Sequence, residues 1–268
     1  MTETPPRNPP RNPPRKRFGQ HFLRDPAVVS RIMDSIAPAA ADRVVEIGPG
    51  DGALTRPLLA RAARVAAVEI DRDLARDLRR LDAPAGRLQV YCEDVLHFDF
   101  ARLGGALRVV GNLPYNISTP LLFRLVRFHE HIADMHLMLQ REVVARLAAQ
   151  PGDAEYSRLS VMGACCFETQ PLFDVAPRAF APPPKVVSGF VRLLPKAAPP
   201  PETRRRLDEL VRLAFSRRRK TAANALSEVF DRGALERLGV DPGQRPDTLR
   251  LDQFMKMVNY KGNETRRA

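Results

Sequence analysis

The chain predicts an α/β fold: a mainly parallel sheet with helices on both faces, followed by a small C-terminal α-helical domain. Three observations carry this. Short β-branched runs alternate with amphipathic helical stretches from Arg43 to Gln150, the pattern of βαβ units. The first of those runs empties into a turn with glycines at 48, 50 and 52. Beyond Pro199-Pro200-Pro201 every remaining signal is helical. A length of 268 residues accommodates one large domain with a smaller one attached, and 44% hydrophobic residues fits a globular chain.

Residues 1–17 hold six prolines, the tandem Arg7-Asn8-Pro9-Pro10 and Arg11-Asn12-Pro13-Pro14, then Arg15-Lys16-Arg17. With almost nothing apolar to bury, this basic arm is expected to be disordered or polyproline-like when free. Order is expected from Phe18-Gly19-Gln20-His21-Phe22-Leu23. Asp25-Pro26 then caps a helix running to about Ala37, with Val28, Val29, Ile32, Met33 and Ile36 on one face. Strands follow at Arg43–Gly48, Val65–Ile70, Leu88–Val95, Leu107–Val110 and Met135–Gln140. Helices fall at Ala53–Arg61, Asp73–Leu81, Ser118–Phe128 and Arg141–Gln150. After a helix near Tyr156–Cys166, the stretches Thr169–Val175 and Val187–Leu194 add antiparallel strands at the sheet edge. The tail reads as helices at Glu202–Phe215, Thr221–Phe230, Gly233–Leu238 and Leu251–Asn259. The expected domains are 18–198 and 199–268.

Of the formal net charge of +12, residues 1–20 carry +4 and residues 201–268 carry +6, leaving +2 on the 180 residues between them. Positive charge at both ends of a nearly neutral body suits a polyanion-binding surface, with Arg217, Arg218, Arg219 and Lys220 as its densest run. The same run also reads as an ordinary solvated face. No run of 18 apolar residues and no signal peptide is present, so a cytoplasmic protein without membrane contact is expected. Cys92, Cys165 and Cys166 have neither metal nor disulfide spacing and read as small apolar residues. His129, His131 and His136 match no standard metal site and read as a solvated helix end, so no metal is expected.

Val44-Val45-Glu46-Ile47-Gly48-Pro49-Gly50-Asp51-Gly52 is a hydrophobic strand running into a glycine-rich turn and a helix. Glycines let backbone approach a ligand closely, and a helix N-terminus favours an anionic group. Glu69 ends the second strand, where a carboxylate can accept both hydroxyls of a ribose. Asp94 ends the third, where it can reach an adenine amino group. Gly48-x-Gly50-x-x-Ala53 satisfies the loose dinucleotide pattern, which keeps NAD open. Three alternating glycines, with Glu46 two residues before the first, favour S-adenosylmethionine, whose amino-acid end Glu46 can hold.

The second site is the loop after Leu107–Val110. Pro114 keeps the preceding residue extended, and stiff loops at the carboxyl ends of parallel strands are where open α/β sheets bind ligands. Asn112 offers an amide oxygen, Leu113 a backbone carbonyl and Tyr115 a flat face. Two acceptors beside a ring suit a planar base with an exocyclic amino group. On its own the tetrapeptide is equally a turn closing a strand.

In the order Phe18-Gly19-Gln20-His21-Phe22-Leu23, Glu46-Ile47-Gly48-Pro49-Gly50-Asp51-Gly52, Glu69-Ile70-Asp71, Glu93-Asp94, Gly111-Asn112-Leu113-Pro114-Tyr115-Asn116-Ile117-Ser118 and Phe180-x-Pro182-x-Pro184-Lys185-Val186, the chain closely resembles the ribosomal RNA small-subunit adenine N6,N6-dimethyltransferases, the KsgA/RsmA family. The resemblance covers about residues 16–260 and implies a Rossmann-like class I methyltransferase fold. It implies that His21, Leu23, Gly48, Glu69, Asp94 and Asn112 line an S-adenosylmethionine pocket. It also implies dimethylation of two adjacent adenines in the 3′-terminal hairpin of 16S rRNA; a base stacked between Tyr115 and Phe180, and a monomer, are expected. Asparagine is common in the family where this chain has His21. Three other readings stay open: a non-catalytic ribosome-assembly factor, a large-subunit methylase of the erythromycin-resistance type, and an NAD oxidoreductase. For the last, no plausible hydride-transfer residues are present.

Overall fold

The computed structural model describes Arg15 and residues 18–260. Apart from Arg15, the proline-rich arm expected over 1–17 lies outside the described residues. A two-residue strand β1 (Phe22–Leu23) precedes α1 (Pro26–Ile36). The Asp25 carboxylate caps α1 by accepting from the backbone N–H groups of Ala27 and Val28, and Pro26 occupies its first turn. Then come β2 (Arg43–Ile47), α2 (Thr55–Arg61), β3 (Arg64–Val68), α3 (Arg72–Leu78), β4 (Leu88–Tyr91) and β5 (Leu107–Asn112). They are followed by α4 (Ser118–Arg127), β6 (Ile132–Gln140), α5 (Arg141–Ala148), α6 (Arg158–Cys166), β7 (Phe167–Val175), β8 (Phe180–Ala181) and β9 (Ser188–Pro195).

The main sheet has the order β4-β3-β2-β5-β6-β9-β7. The first five strands are parallel; β9 pairs antiparallel with β6 and with β7, as expected for the edge. Strand β1 pairs separately with β8, Leu23 opposite Phe180. Apolar residues of β2, β5 and β6 are buried on both faces, as a strand covered by helices on each side requires. Val44, Val110 and Met138 point to one face, packed under Ile32, Met33 and Ile36 of α1 and Leu58 of α2. Val45, Val109, Leu137 and Leu139 point to the other, against Leu121 and Leu125 of α4 and Val161 and Met162 of α6.

The tail forms α7 (Pro201–Ser216), α8 (Ala222–Ala225), α9 (Arg232–Arg237) and α10 (Leu251–Val258). Leu207, Val211 and Ala214 of α7 and Phe254 of α10 belong to the same core cluster as the α6 side of the sheet. The helix expected over Thr221–Phe230 shrinks to α8. The Ser227 hydroxyl bonds the Asn224 carbonyl (3.3 Å), competing for an acceptor a longer helix would use. The strand expected to reach Val95 stops at Tyr91, because Asp94 draws the chain into a turn: its side chain accepts from Leu96 N and its carbonyl from His97 N and Phe98 N. Among the described residues no helix is long and apolar enough to cross a membrane. Of the three cysteines expected to be buried, Cys165 and Cys166 are buried in α6, whereas Cys92 is only partly covered.

Strands β2 and β5 approach most tightly at Gly111. A Cβ there would lie 2.8 Å from the Ile47 carbonyl oxygen and 2.9 Å from Leu113 Cδ2. Gly111→Ala is expected to lower stability by about 1–3 kcal/mol, read as a fall in the denaturation midpoint. An unchanged midpoint would show that this contact can relax.

Candidate active site at the carboxyl edge of the sheet

From β2 the chain moves outward to β3 and β4, then returns across β2 to β5. The crevice at such a reversal, beyond the carboxyl ends of the strands, is where open α/β sheets take ligands. A cavity of about 340 Å³ lies there. It is lined by the glycine turn after β2, by Glu69 just past β3, by Asp94 past β4 and by Asn112 at the end of β5. The glycine turn and the Asn112 loop are adjacent: a Cβ on Gly48 would sit 3.8 Å from both the Asn112 carbonyl oxygen and Pro114 Cδ. Gly48 and Gly50 have φ of 63° and 59°, a region that disfavours other residues, and a Cβ on Gly50 would be 3.0 Å from the Phe22 ring. Segment 18–23 forms a further wall, with Leu23 buried.

The lining is acidic. Glu46, Asp51, Glu69, Glu93 and Asp94 all contribute, and among the described residues no lysine or arginine does. The glycine-turn amides are already committed. Gly48 N–H donates to the Val68 carbonyl (3.0 Å), Gly50 N–H to Glu69 Oε2 (3.1 Å) and Gly52 N–H to the Pro49 carbonyl (2.9 Å). A pyrophosphate would meet an acidic lining in which the three glycine amides are already taken, which argues against the NAD reading that the glycine spacing left open. A ligand bearing positive charge fits the same donor set.

Glu46 is 2% exposed and accepts from the Thr55 hydroxyl at 2.6 Å. Burial pushes its carboxyl up to about 7; the Thr55 bond opposes the rise, while the charges of Glu69 and Asp51 add to it. Burial likewise raises Glu69, against hydrogen bonds from the Asp71 and Gly50 N–H groups. Each Glu69 oxygen accepts one of those bonds and keeps a second lone pair.

Asn112 is oriented by its own amide. Its Nδ2 donates to the His21 carbonyl at 2.9 Å, and since a carbonyl only accepts, this fixes the flip and leaves Oδ1 as the outward acceptor. Among the described residues none donates to that oxygen or to the Leu113 carbonyl. Tyr115 is held from both ends: its hydroxyl bonds Ser188 (2.7 Å) and its ring stacks beside His21, with centroids 5.8 Å apart. The His21 Nδ1–H donates to the Pro182 carbonyl (2.8 Å), tying this wall to the proline-rich loop.

Some predicted residues lie elsewhere. Gly52 shapes the turn without lining the cavity. Phe180 is 4% exposed and packs in the core with Val110, Met138 and Phe190, so it offers no face to a base; it backs Leu23 instead. In the basic run, Arg217 pairs with Glu228 and Arg218 with Asp247, while Arg219 and Lys220 have no acidic partner among the described residues. The three histidines are not a solvated helix end. His129 is buried against Arg204 and His136 is 0% exposed inside β6, and among the described residues no cluster could hold a metal. Sequence reasoning missed Ser188, for which no motif speaks. It also gave no role to Phe22 and Asp71, although both lie in the quoted motifs; Asp71 caps α3 and holds Arg15 through a 3.0 Å ion pair.

The family model described as ribosomal RNA adenine dimethylase matches residues 11–263. The chain belongs to the ribosomal RNA adenine dimethylase family. The chain is 52% identical over 243 residues to the ribosomal RNA small subunit methyltransferase A of Methylococcus capsulatus, covering 90% of this chain and 95% of that protein. It is 51% identical over 250 residues to the protein of the same description from Nitrosococcus oceani, covering 91% and 95%. Among solved structures it is similar to a dimethyladenosine transferase from Plasmodium falciparum, with a TM-score of 0.73, 28% identity and coverage of 88% and 96%. It is also similar to the 23S rRNA methyltransferase ErmE, with a TM-score of 0.68, 29% identity and coverage of 88% and 98%. The family's sheet is the mainly parallel, Rossmann-like one described above.

The raised Glu46 carboxyl has a consequence for the empty protein. The folded state keeps a proton that the unfolded chain releases above about 4.5, so this stability is present at low pH and lost as pH rises from 4.5 through about 7. Glu46→Gln removes the titration. Without ligand, it is expected to match the wild type near pH 5 and exceed it by about 3 kcal/mol near pH 8. Denaturant unfolding at the two pH values checks this; equal gaps at both would refute it.

Proposed function

We propose that the protein dimethylates N6 of two adjacent adenines in the 3′-terminal hairpin loop of 16S rRNA in the small ribosomal subunit, using S-adenosylmethionine, with a role in subunit biogenesis. It acts as a cytoplasmic monomer. The observation that carries the reading is the pairing of an acidic cavity, without lysine or arginine among the described residues, with an outward Asn112 Oδ1 beside a half-buried tyrosine. Similarity of about half of all residues to small-subunit methyltransferases supports the small subunit over the large one.

When bound, S-adenosylmethionine supplies an electrophilic methyl group on a sulfonium. Glu46 would receive the ammonium of its amino-acid end, Glu69 the ribose hydroxyls and Asp94 the adenine amino group. Gly48, Gly50, His21 and Leu23 would shape the walls. An adenine N6 is a poor nucleophile because its lone pair is delocalised into the ring. Asn112 Oδ1 and the Leu113 carbonyl accept its two N–H groups, drawing the nitrogen towards tetrahedral geometry. The same acceptors stabilise positive charge developing on N6. Tyr115 stacks on the base that has swung out of its helix, a contact worth roughly 1–3 kcal/mol. No side chain is needed as a base, since the N6 proton becomes acidic once the nitrogen is alkylated. A monomethylated amine has one N–H left, so the second transfer proceeds with one acceptor unpaired.

The helical segment 199–268 would carry the RNA-facing positive charge. Because Arg217 and Arg218 are neutralised within the fold, Arg219 and Lys220 are the run's available phosphate contacts.

Asn112→Ala is expected to reduce methyl transfer by at least about 10²–10³-fold while leaving RNA affinity unchanged. Labelled S-adenosylmethionine with unmodified small subunits, followed by nucleoside analysis, measures the first; filter binding measures the second. Near-normal turnover would remove Asn112 from the mechanism. Arg219→Glu with Lys220→Glu should weaken RNA binding and flatten the slope of log affinity against log salt by up to about 2. An unaltered slope would make the pair a solvated surface.

A further inference from the structure

Thr55 opens α2 just after the glycine-rich turn, is fully buried and does not line the cavity. Its hydroxyl donates to Glu46 Oε2 at 2.6 Å. Among the described residues no other group donates to Glu46, so Oε1 is the free oxygen of a residue that does line the cavity. The charged groups facing Glu46 are Glu69, past the end of β3, and Asp51, on the glycine turn. Asp51 is paired with Arg24, and Glu69 is tied to two backbone N–H groups. Burial and both neighbours therefore favour the neutral carboxyl, and the Thr55 hydroxyl is the group that favours the carboxylate.

We propose that Thr55 is a positioning residue for donor binding, its hydroxyl holding Glu46 Oε2 so that the free oxygen is aimed at the cationic amino-acid end of S-adenosylmethionine. This rests on the methyl-donor reading given above. Valine preserves the shape of threonine and removes the donor, whereas serine preserves the donor and removes a methyl group. A purely packing role and a positioning role therefore predict opposite outcomes for the two substitutions.

The test is calorimetric titration of the full chain with S-adenosylmethionine and with S-adenosylhomocysteine. It runs between about pH 5.5 and 7.5, below the ordinary α-amino range of about 7.7–8.0. In the wild type, affinity is expected to rise with pH across this window, with proton release at its acid end. Thr55→Val is expected to bind on the order of tenfold more weakly, with the rise displaced to higher pH and turnover at saturating donor retained. Thr55→Ser is expected to follow the wild type. Wild-type affinity and an unmoved pH profile in Thr55→Val would overturn the proposal, as would loss confined to Thr55→Ser. A wild type that binds neither ligand would overturn the methyl-donor reading itself, and this proposal with it.

Discussion

The structure depends on the register of β2 between two parallel neighbours. Ile47 sits opposite Val68 on one side and Gly111 on the other, so three strands end at nearly one level. A one-residue slip would turn Val45 and Val109 out of one core and Val44 and Val110 out of the other. The register is held by the contact of Gly111 with the Ile47 carbonyl, where no side chain fits. Because it holds, the glycine turn and the Asn112 loop leave the sheet side by side and share one cavity.

That cavity carries a charge opposite to the rest of the molecule. A chain of net charge +12 places five acidic side chains, and among the described residues no lysine or arginine, around its central site. The arrangement separates two electrostatic tasks. Under the proposed function, surface cations would attract the polyanionic RNA, while the acidic interior would disfavour phosphates and suit a cationic donor.

The opposite end of the sheet is built for rigidity. Arg108 bridges Asp42 (2.6 Å) and Asp134 (2.8 Å) and caps the Ile36 carbonyl at the end of α1 (2.6 Å). His136, fully buried beside it, is held down to about 4, first by burial and then by the positive charges of Arg108 and Arg192, against the pull of Asp134. It is therefore neutral at physiological pH and adds no charge to the cluster. Removing Arg108 would leave buried Asp134 with only its longer 3.5 Å contact to Arg192, and loosening a buried ion pair in this way is costly.

The sequence by itself determined the βαβ alternation, the Asp25 cap and the local turn that must follow Gly48, because each is a property of neighbouring residues. The acidic positions Glu46 in β2 and Glu69 and Asp94 past β3 and β4 were legible because the apolar runs show roughly where strands lie, although β4 ends three residues before Asp94. Tertiary structure decided what spacing could not express. Whether the glycine amides were free for a phosphate depended on the distant Val68 carbonyl and the Glu69 carboxylate. The orientation of the Asn112 amide depended on the carbonyl of His21, 91 residues away in sequence. Phe180 looked like a stacking residue beside prolines, yet pairing of β8 with β1 turned it into the core. Half of the basic run was neutralised by Glu228 and Asp247, which no local pattern links to it. Chemistry that depends on one residue's own atoms was written along the chain; chemistry that depends on which lone pair or face remains unused was set only when remote segments packed together.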